Sequence, residues 1–226
     1  MNKTRDKSSA LTLKLSTAAL ISGIGLILMT ILALIAMPSV QGLAEIENTS
    51  DLVNKVTAQE SSLRLNIVLI LIIVMLDAIL AWSLYVLVRP VDKDLALLQG
   101  WLRLTYAAIF AVALSNLSSI TNLLPVQGSA LQIASLMHNF INGWNLGLAI
   151  FGLHLVVLGY LIAQSSYIPK WIGYLVVLAG AGYIVDSIGK VLSADYALNV
   201  GMFTFFGEVL LGFWLAFKAR KLNLRA

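Results

Sequence analysis

The 226-residue chain has no cysteine, only four prolines and two histidines, and few charges, with Asp, Glu, Lys and Arg making up 12%. Without cysteine there are no disulfides, no thiolate metal site and no cysteine nucleophile. The two histidines, His138 and His154, argue against a multi-histidine zinc site. An ordinary soluble domain is about 25% charged, so the scarcity of charge excludes that class, and composition likewise excludes disorder, collagen and coiled coil. No phosphate-binding glycine loop is present, because glycines such as Gly180 and Gly182 fall inside an apolar run. No nucleophile-elbow motif surrounds any serine.

What is abundant is apolar surface. Hydrophobic residues are 59% of the chain and the mean hydropathy is +0.90. A transmembrane helix needs about 20 mostly apolar residues, and six such runs are expected at 16–37, 65–88, 101–124, 142–164, 170–190 and 199–217. The dyad alternation of a barrel strand is absent, so helices must satisfy the backbone in lipid. The expectation is a single all-α domain over 1–226, a six-helix membrane bundle. The first run also has a signal-peptide outline, with Lys3, Arg5 and Lys7 before it and small residues around Gly42 and Ala44 after it. Its apolar stretch from Ala18 to Met37 is longer than a typical signal core, which favours a retained helix.

Orientation follows from the basic residues. With both termini cytoplasmic, the inner face holds Lys3, Arg5, Lys7, Lys14, Arg89, Lys93, Arg103, Lys170, Lys218, Arg220, Lys221 and Arg225. The outer face holds only Lys55, Arg64 and Lys190, which completes the 15 basic residues. The net charge of +4 is thus a topology signal scattered over several segments, and no nucleic-acid partner is implied. The outer loop 38–64 carries Glu45, Glu47, Asp51 and Glu60. Leu43, Ile46, Leu52, Val53 and Val56 recur there at near-helical spacing, which suits either a short amphipathic helix on the membrane surface or a plain acidic loop.

Ionisable residues within spans are costly and are functional candidates by default. Asp77, His154 and Glu208 fall at the middle of the second, fourth and sixth spans, which run in the same direction, so the three share one depth. They form a candidate midplane cluster, for a proton relay, a binding site or a one-His, two-carboxylate metal site. The bland alternative is that each only glues helices together. Arg103, Asn116, Asn145, Tyr183 and Asp186 are secondary candidates. Arg103 is expected at the inner end of its span, meeting lipid phosphates or a helix terminus. Asp186 and Lys190 stand at i,i+4, the favoured acid-before-base helix pair.

Helix faces add detail. Ala107, Ala111, Ser115, Ser118 and Asn122 make a small polar face, suited to close packing or to a water path. Ser115, Ser118 and Ser119 are the hydroxyls that would have to serve as a nucleophile for His154. The fourth span has two specialised faces, Asn145, Ala149, Gly152, Val156 and Gly159 on one and Gly147, Phe151, His154 and Leu158 on the other, as a central helix would. Gly201, Thr204, Glu208 and Gly212 would let a partner approach Glu208 closely. The five tryptophans fall mostly near span ends, as an aromatic belt.

Several stretches together resemble a known family: Leu84-Tyr85 with Arg89-Pro90-Val91, Arg103, Phe151-Gly152-Leu153-His154-Leu155, Gly159-Tyr160-Leu161, Ile168-Pro169, Gly173, Gly182-Tyr183, Asp186, and Glu208 before Trp214. The chain resembles bacterial multi-pass membrane proteins known only as a domain of unknown function, the 4386 type. The resemblance implies a membrane bundle in a bacterial cytoplasmic membrane and brings no activity or cofactor with it.

Three functions stay open on the sequence. The first is a proton-linked small-molecule transporter or channel-like protein. The second is a membrane-embedded enzyme on a lipid or apolar substrate, and the third a non-catalytic assembly or stress-response factor. The partners expected are the lipid bilayer and a small-molecule or lipid ligand.

Overall fold

The computed structural model describes residues 14–126, 128–193 and 195–218, with backbone alone at 202 and 203. The described residues form α1 (Leu15–Ala44), α2 (Thr49–Ala58), α3 (Glu60–Val88), α4 (Lys93–Leu123), α5 (Ala130–Gln164), α6 (Lys170–Leu192), α7 (Val200–Thr204) and α8 (Phe206–Lys218), with no strand among them. The protein is all-α. Five helices, α1, α3, α4, α5 and α6, are long and apolar enough to cross a membrane. The stretch 199–217, expected as a sixth span, is instead two helices broken at Phe205.

The helices extend beyond the apolar runs because their polar ends still bury a face. α5 begins at Ala130 rather than 142. Its first turns bury Ile133, Met137 and Phe140, while His138 stays exposed. α1 runs through Pro38 to Ala44, so most of the expected outer loop is helical. A proline costs a helix one backbone hydrogen bond and can be tolerated when the freed group finds another partner. α2 is the amphipathic helix that the spacing allowed. The Asn48 side chain accepts from the backbone N–H of Ser50 and Asp51 at 2.9 and 3.1 Å and so caps its start. Leu52 and Val56 are fully buried within the protein's own core, so this apolar face lies on the bundle and not on lipid. Asp92 caps α4 in the same way, accepting from Asp94 and Leu95.

The long helices close a ring. α1 packs on α3, α3 on α4, α4 on α5, α5 on α6, and α6 on α7 and α8, while α8 returns to α1. α5 is the central element, with one specialised face on each neighbour. Its small face meets α6 in a seam of glycines. A Cβ on Gly152 would lie 2.5 Å from the Gly180 carbonyl oxygen, and one on Gly159 would lie 2.6 Å from that of Gly173. Such backbone-to-backbone approach is what small residues permit in a membrane, where van der Waals contact replaces the hydrophobic effect as the force between helices. Gly23 of α1 meets Ala216 and Gly212 of α8 in the same fashion. The membrane-facing exterior is apolar, with Leu34, Leu65, Val112 and Tyr174 among the exposed side chains.

Candidate functional site

Arg103 organises the interior. It sits ten residues into α4 with none of its surface exposed. Its Nη2 lies 2.7 Å from Asp77 Oδ1 on α3, and both side chains are completely buried. The contact is a close ion pair without hydrogen-bond alignment, and neither Asp77 oxygen has an aligned donor among the described residues. Nη1 lies 3.1 Å from His154 Nε2 on α5. Nη2 also approaches the Met29 sulfur of α1 at 3.7 Å, and the guanidinium stands 5.2 Å from the centre of the Phe151 ring. Arg103 therefore reaches neither lipid phosphates nor a helix terminus, as had been expected, because four helices converge on its head group.

The tautomer of His154 follows from its partners. Arginine carries only donors and a carbonyl only accepts. Nε2 must therefore accept from Arg103, and Nδ1–H must donate to the Gln99 carbonyl, 2.9 Å away. The imidazole is neutral and both nitrogens are committed. It has no lone pair left for a metal, so the one-His, two-carboxylate site cannot form in this arrangement. No three His, Cys, Asp and Glu side chains among the described residues are grouped to hold a metal ion. The serines fare no better as nucleophiles. Ser115 lies twelve positions along α4 from Arg103, about 18 Å at 1.5 Å per residue. The hydroxyls of Ser115 and Ser119 bond to carbonyls of their own helix, those of Val112 and Ser115. Of the expected small face, Ala107 is buried and packs within the chain, whereas Ala111, Ser115, Ser118 and Asn122 face outward and line no path.

In front of Asp77 lies a cavity of about 410 Å³ inside the ring. Asp77, Glu208 and Asp186 all line it, with 0%, 9% and 7% of their surfaces exposed. Tyr106, Phe110, Trp144, Phe151, Tyr183 and Phe205 supply aromatic walls, and α1 supplies Leu26, Met29, Thr30, Ala33 and Met37. Exposed Gln41, Lys190 and Asn199 lie at its mouth. Of the three expected midplane residues, Asp77 and Glu208 thus share the cavity, and His154 stands behind Arg103, outside the lining.

Asp186 is not paired with Lys190. One of its oxygens accepts from the Tyr196 hydroxyl at 2.7 Å and from the Val200 N–H at 3.0 Å, and the other accepts from the Gly201 N–H at 2.7 Å. The carboxylate thereby ties the 193–199 connection and the start of α7 to α6, and its hydrogen bond holds the Tyr196 phenol above its ordinary pKa. Lys190 turns instead to Asn145 Oδ1 at 3.1 Å, and the Asn145 carbonyl accepts from Ser187. At i,i+4 the two side chains are within reach, but three donors on one side and an amide on the other win. Tyr183 lines the cavity beside Glu208, with its ring edge-on to Phe151 at 5.7 Å. Asn116 lies apart, bonded to the Val112 and Ala113 carbonyls in a shallow groove between α4 and α5.

Several participants carried no sequence signal. Gln99 is fully buried with an unpartnered side-chain amide among the described residues, and only its backbone carbonyl holds His154. Tyr106 reads as an ordinary apolar position, and Phe151 entered only as a neighbour of His154 on its helix face and in the family-like stretch. Trp144, expected in the interfacial belt, stacks on Phe110 at 6.4 Å in the cavity wall, whereas Trp82, Trp101 and Trp171 are half exposed or more, as anchors are.

Over residues 21–219 the chain matches the family described as Domain of unknown function (DUF4386). It belongs to that family. The matched stretch contains Asp77, Arg103, His154 and Glu208. An uncharacterized protein of Archaeoglobus fulgidus is 40% identical over 158 residues, which cover 70% of this chain and 86% of that protein. No solved structure matches. This DUF4386 protein is a multi-pass membrane protein by the five long apolar helices of the fold.

Proposed function

We propose that this protein is a proton-linked small-molecule transporter whose binding site is the cavity in front of Asp77, with Asp77 and Glu208 as the groups that exchange protons. The observation that carries the reading is a pair of buried carboxylates on the wall of one small-molecule-sized cavity, whose mouth lies at one end of the ring. Small-molecule sites typically enclose about 300–1,000 Å³ with mostly apolar walls and a few convergent polar groups. Two carboxylates sharing such a site titrate as a unit, because the charge on one raises the cost of charging the other. The groups around Glu208 that set this balance are Asp77, Arg103 and Tyr106 on α3 and α4, Tyr183 and Asp186 on α6, and neutral His154 behind Arg103. The exposed polar lining residues Gln41, Lys190 and Asn199 gather at one end of the cavity, which fits one state of an alternating-access cycle.

The other readings have less support. An acid–base or metal enzyme would draw on His154, whose two nitrogens are already used. Packing glue accounts for Arg103 with Asp77 and His154, and leaves Glu208 on the cavity wall without a purpose. The bacterial cytoplasmic membrane is the proposed setting, with α7 and α8 in series making the sixth crossing that puts both termini inside.

The chain lacks cysteine, so a single Ala33→Cys on the α1 wall reports cavity access without background. The pH profile of its labelling by a small thiol reagent should differ from that of Ser50→Cys on α2, and the difference should vanish when Glu208→Gln is added. Identical profiles at both positions, with and without Glu208→Gln, would refute proton-linked opening.

A further inference from the structure

The charges on the cavity wall do not balance, and the residue left over points to a substrate class. Asp77 has Arg103 at 2.7 Å. Asp186 has three donors, two of them backbone N–H groups. Lys190, at the mouth, is held by Asn145. Glu208 alone among the wall carboxylates has neither a cationic partner nor a backbone donor among the described residues, and it is nine-tenths buried. A buried carboxylate without a counter-charge must either bind a proton or meet a cation.

The walls around it suit a cation that carries apolar bulk. Aromatic faces attract positive charge most strongly where water is excluded. Tyr106 and Phe151 lie 4.7 Å apart, Phe110 and Trp144 stack beside them, and Tyr183 stands edge-on to Phe151. This wall already holds one cation in that way, since the Arg103 guanidinium sits 5.2 Å from the Phe151 ring centre. The opposite wall is aliphatic. Thr30, Ala33, Met37 and Gln41 of α1 form one helical face that borders the cavity. Leu34, beside that face, is 64% exposed to the exterior, so an apolar body can enter along α1 from the lipid side. An anion would have to enter a chamber lined by three acids, with its one buried arginine already engaged.

We propose that the cavity binds an organic monocation with an aromatic or aliphatic body, its charge set against Glu208 within the aromatic wall. The proposal rests on the transporter reading and deepens it: proton and organic cation compete for one carboxylate, so binding of one expels the other. Exchange of a proton for a lipophilic cation across the membrane is the activity that such a site would support.

Tetraphenylphosphonium and tetraphenylborate share a shape and differ in the sign of charge, so they isolate this claim. Equilibrium binding of both would be measured on the purified full-length protein in detergent. The phosphonium should bind saturably, and more tightly as the pH rises. The borate should bind at least about tenfold more weakly, on the scale set by a buried charge contact. Glu208→Gln should remove the preference, and Glu208→Asp should keep part of it, which separates charge from a folding defect. Equal binding of the two ions, no saturable binding of the phosphonium, or a phosphonium affinity unchanged by Glu208→Gln would overturn the proposal. Labelling at Ala33→Cys that still depends on pH through Glu208, in a protein that ignores the phosphonium, would remove the cation class and leave the proton-linked reading standing. Loss of both would end the two together.

Discussion

Arg103 donates to His154 across 3.1 Å, and His154 passes the chain of bonds on to the Gln99 carbonyl of Arg103's own helix at 2.9 Å. The imidazole therefore acts as a brace. It fixes the guanidinium from behind while Asp77 meets it in front, and it ties α4 to α5 at the level where α3 is tied to α4.

That arrangement predicts an asymmetry in stability. Removing one partner of a buried ion pair costs about 3–5 kcal/mol, because the other charge is left uncompensated, while apolar replacement of both is often close to neutral. Arg103→Met and Asp77→Leu should each destabilise the protein on that scale in detergent unfolding. The double variant should recover most of the loss, and a double variant as unstable as the two losses together would show that the pair is not coupled.

Asp186 and Lys190 should behave independently. Their side chains go to different partners, the one to Tyr196 and the start of α7, the other to Asn145. Asp186→Asn should destabilise more than Lys190→Met, and the two effects should add within about 0.3–0.5 kcal/mol, as for sites without shared contacts. A coupling energy well above that would restore the ion pair.

The glycine seam gives a paired test. Gly152→Ala drives a methyl group against the Gly180 carbonyl, and overpacking of this kind costs about 1–3 kcal/mol. Gly42→Ala, in α1 with nothing within 4 Å of the new Cβ, should be neutral or stabilising by about 0.5–1 kcal/mol. Thermal unfolding of the two variants beside the parent checks the order; similar losses at both positions would count against the seam.

Orientation can be read with single cysteines as well. Ser50 and Ser166 are both exposed, at opposite ends of the bundle. The basic-residue asymmetry predicts that Ser50→Cys reacts with an impermeant reagent added outside sealed cells and that Ser166→Cys reacts only after permeabilisation. The reverse pattern would invert the topology.

The membrane bundle was legible from apolar runs because lipid leaves so few solutions for a backbone. The ends of the helices were not, since α2 and the first turns of α5 bury Leu52, Val56 and Phe140 on a face too narrow for a hydropathy window to register. The sixth run reads as continuous because its residues other than Asn199 and Glu208 are apolar or small, and nothing in the pattern marks the break at Phe205. Asp77, His154 and Glu208 stood out because charge in a span is rare. Their relation to one another depended on Arg103, which as a basic residue near a span boundary was assigned to the inner surface. Lys and Arg counts treat every cation as a surface cation, and the one that matters most for the interior was the exception. Three of the basic residues before α1 and three after α8, namely Lys3, Arg5, Lys7, Arg220, Lys221 and Arg225, lie outside the described residues. The aromatic wall had no signature, because Tyr106, Phe110 and Phe151 look like any core positions until four helices are brought together.

The contact of backbone on backbone between α5 and α6 has a mechanical consequence. Helices whose carbonyls touch have no layer of side chains to shear, so the two behave as one stiff plank that carries His154, Asn145, Tyr183 and Asp186 together. Motion that turned the chamber toward the opposite leaflet would fall to the remaining side of the ring. There α1 carries Pro38 within it, and the helix is broken between α7 and α8 at Phe205, one turn before Glu208. A hinge at that position would move the acid relative to the plank, so the group that binds would also be the group that travels.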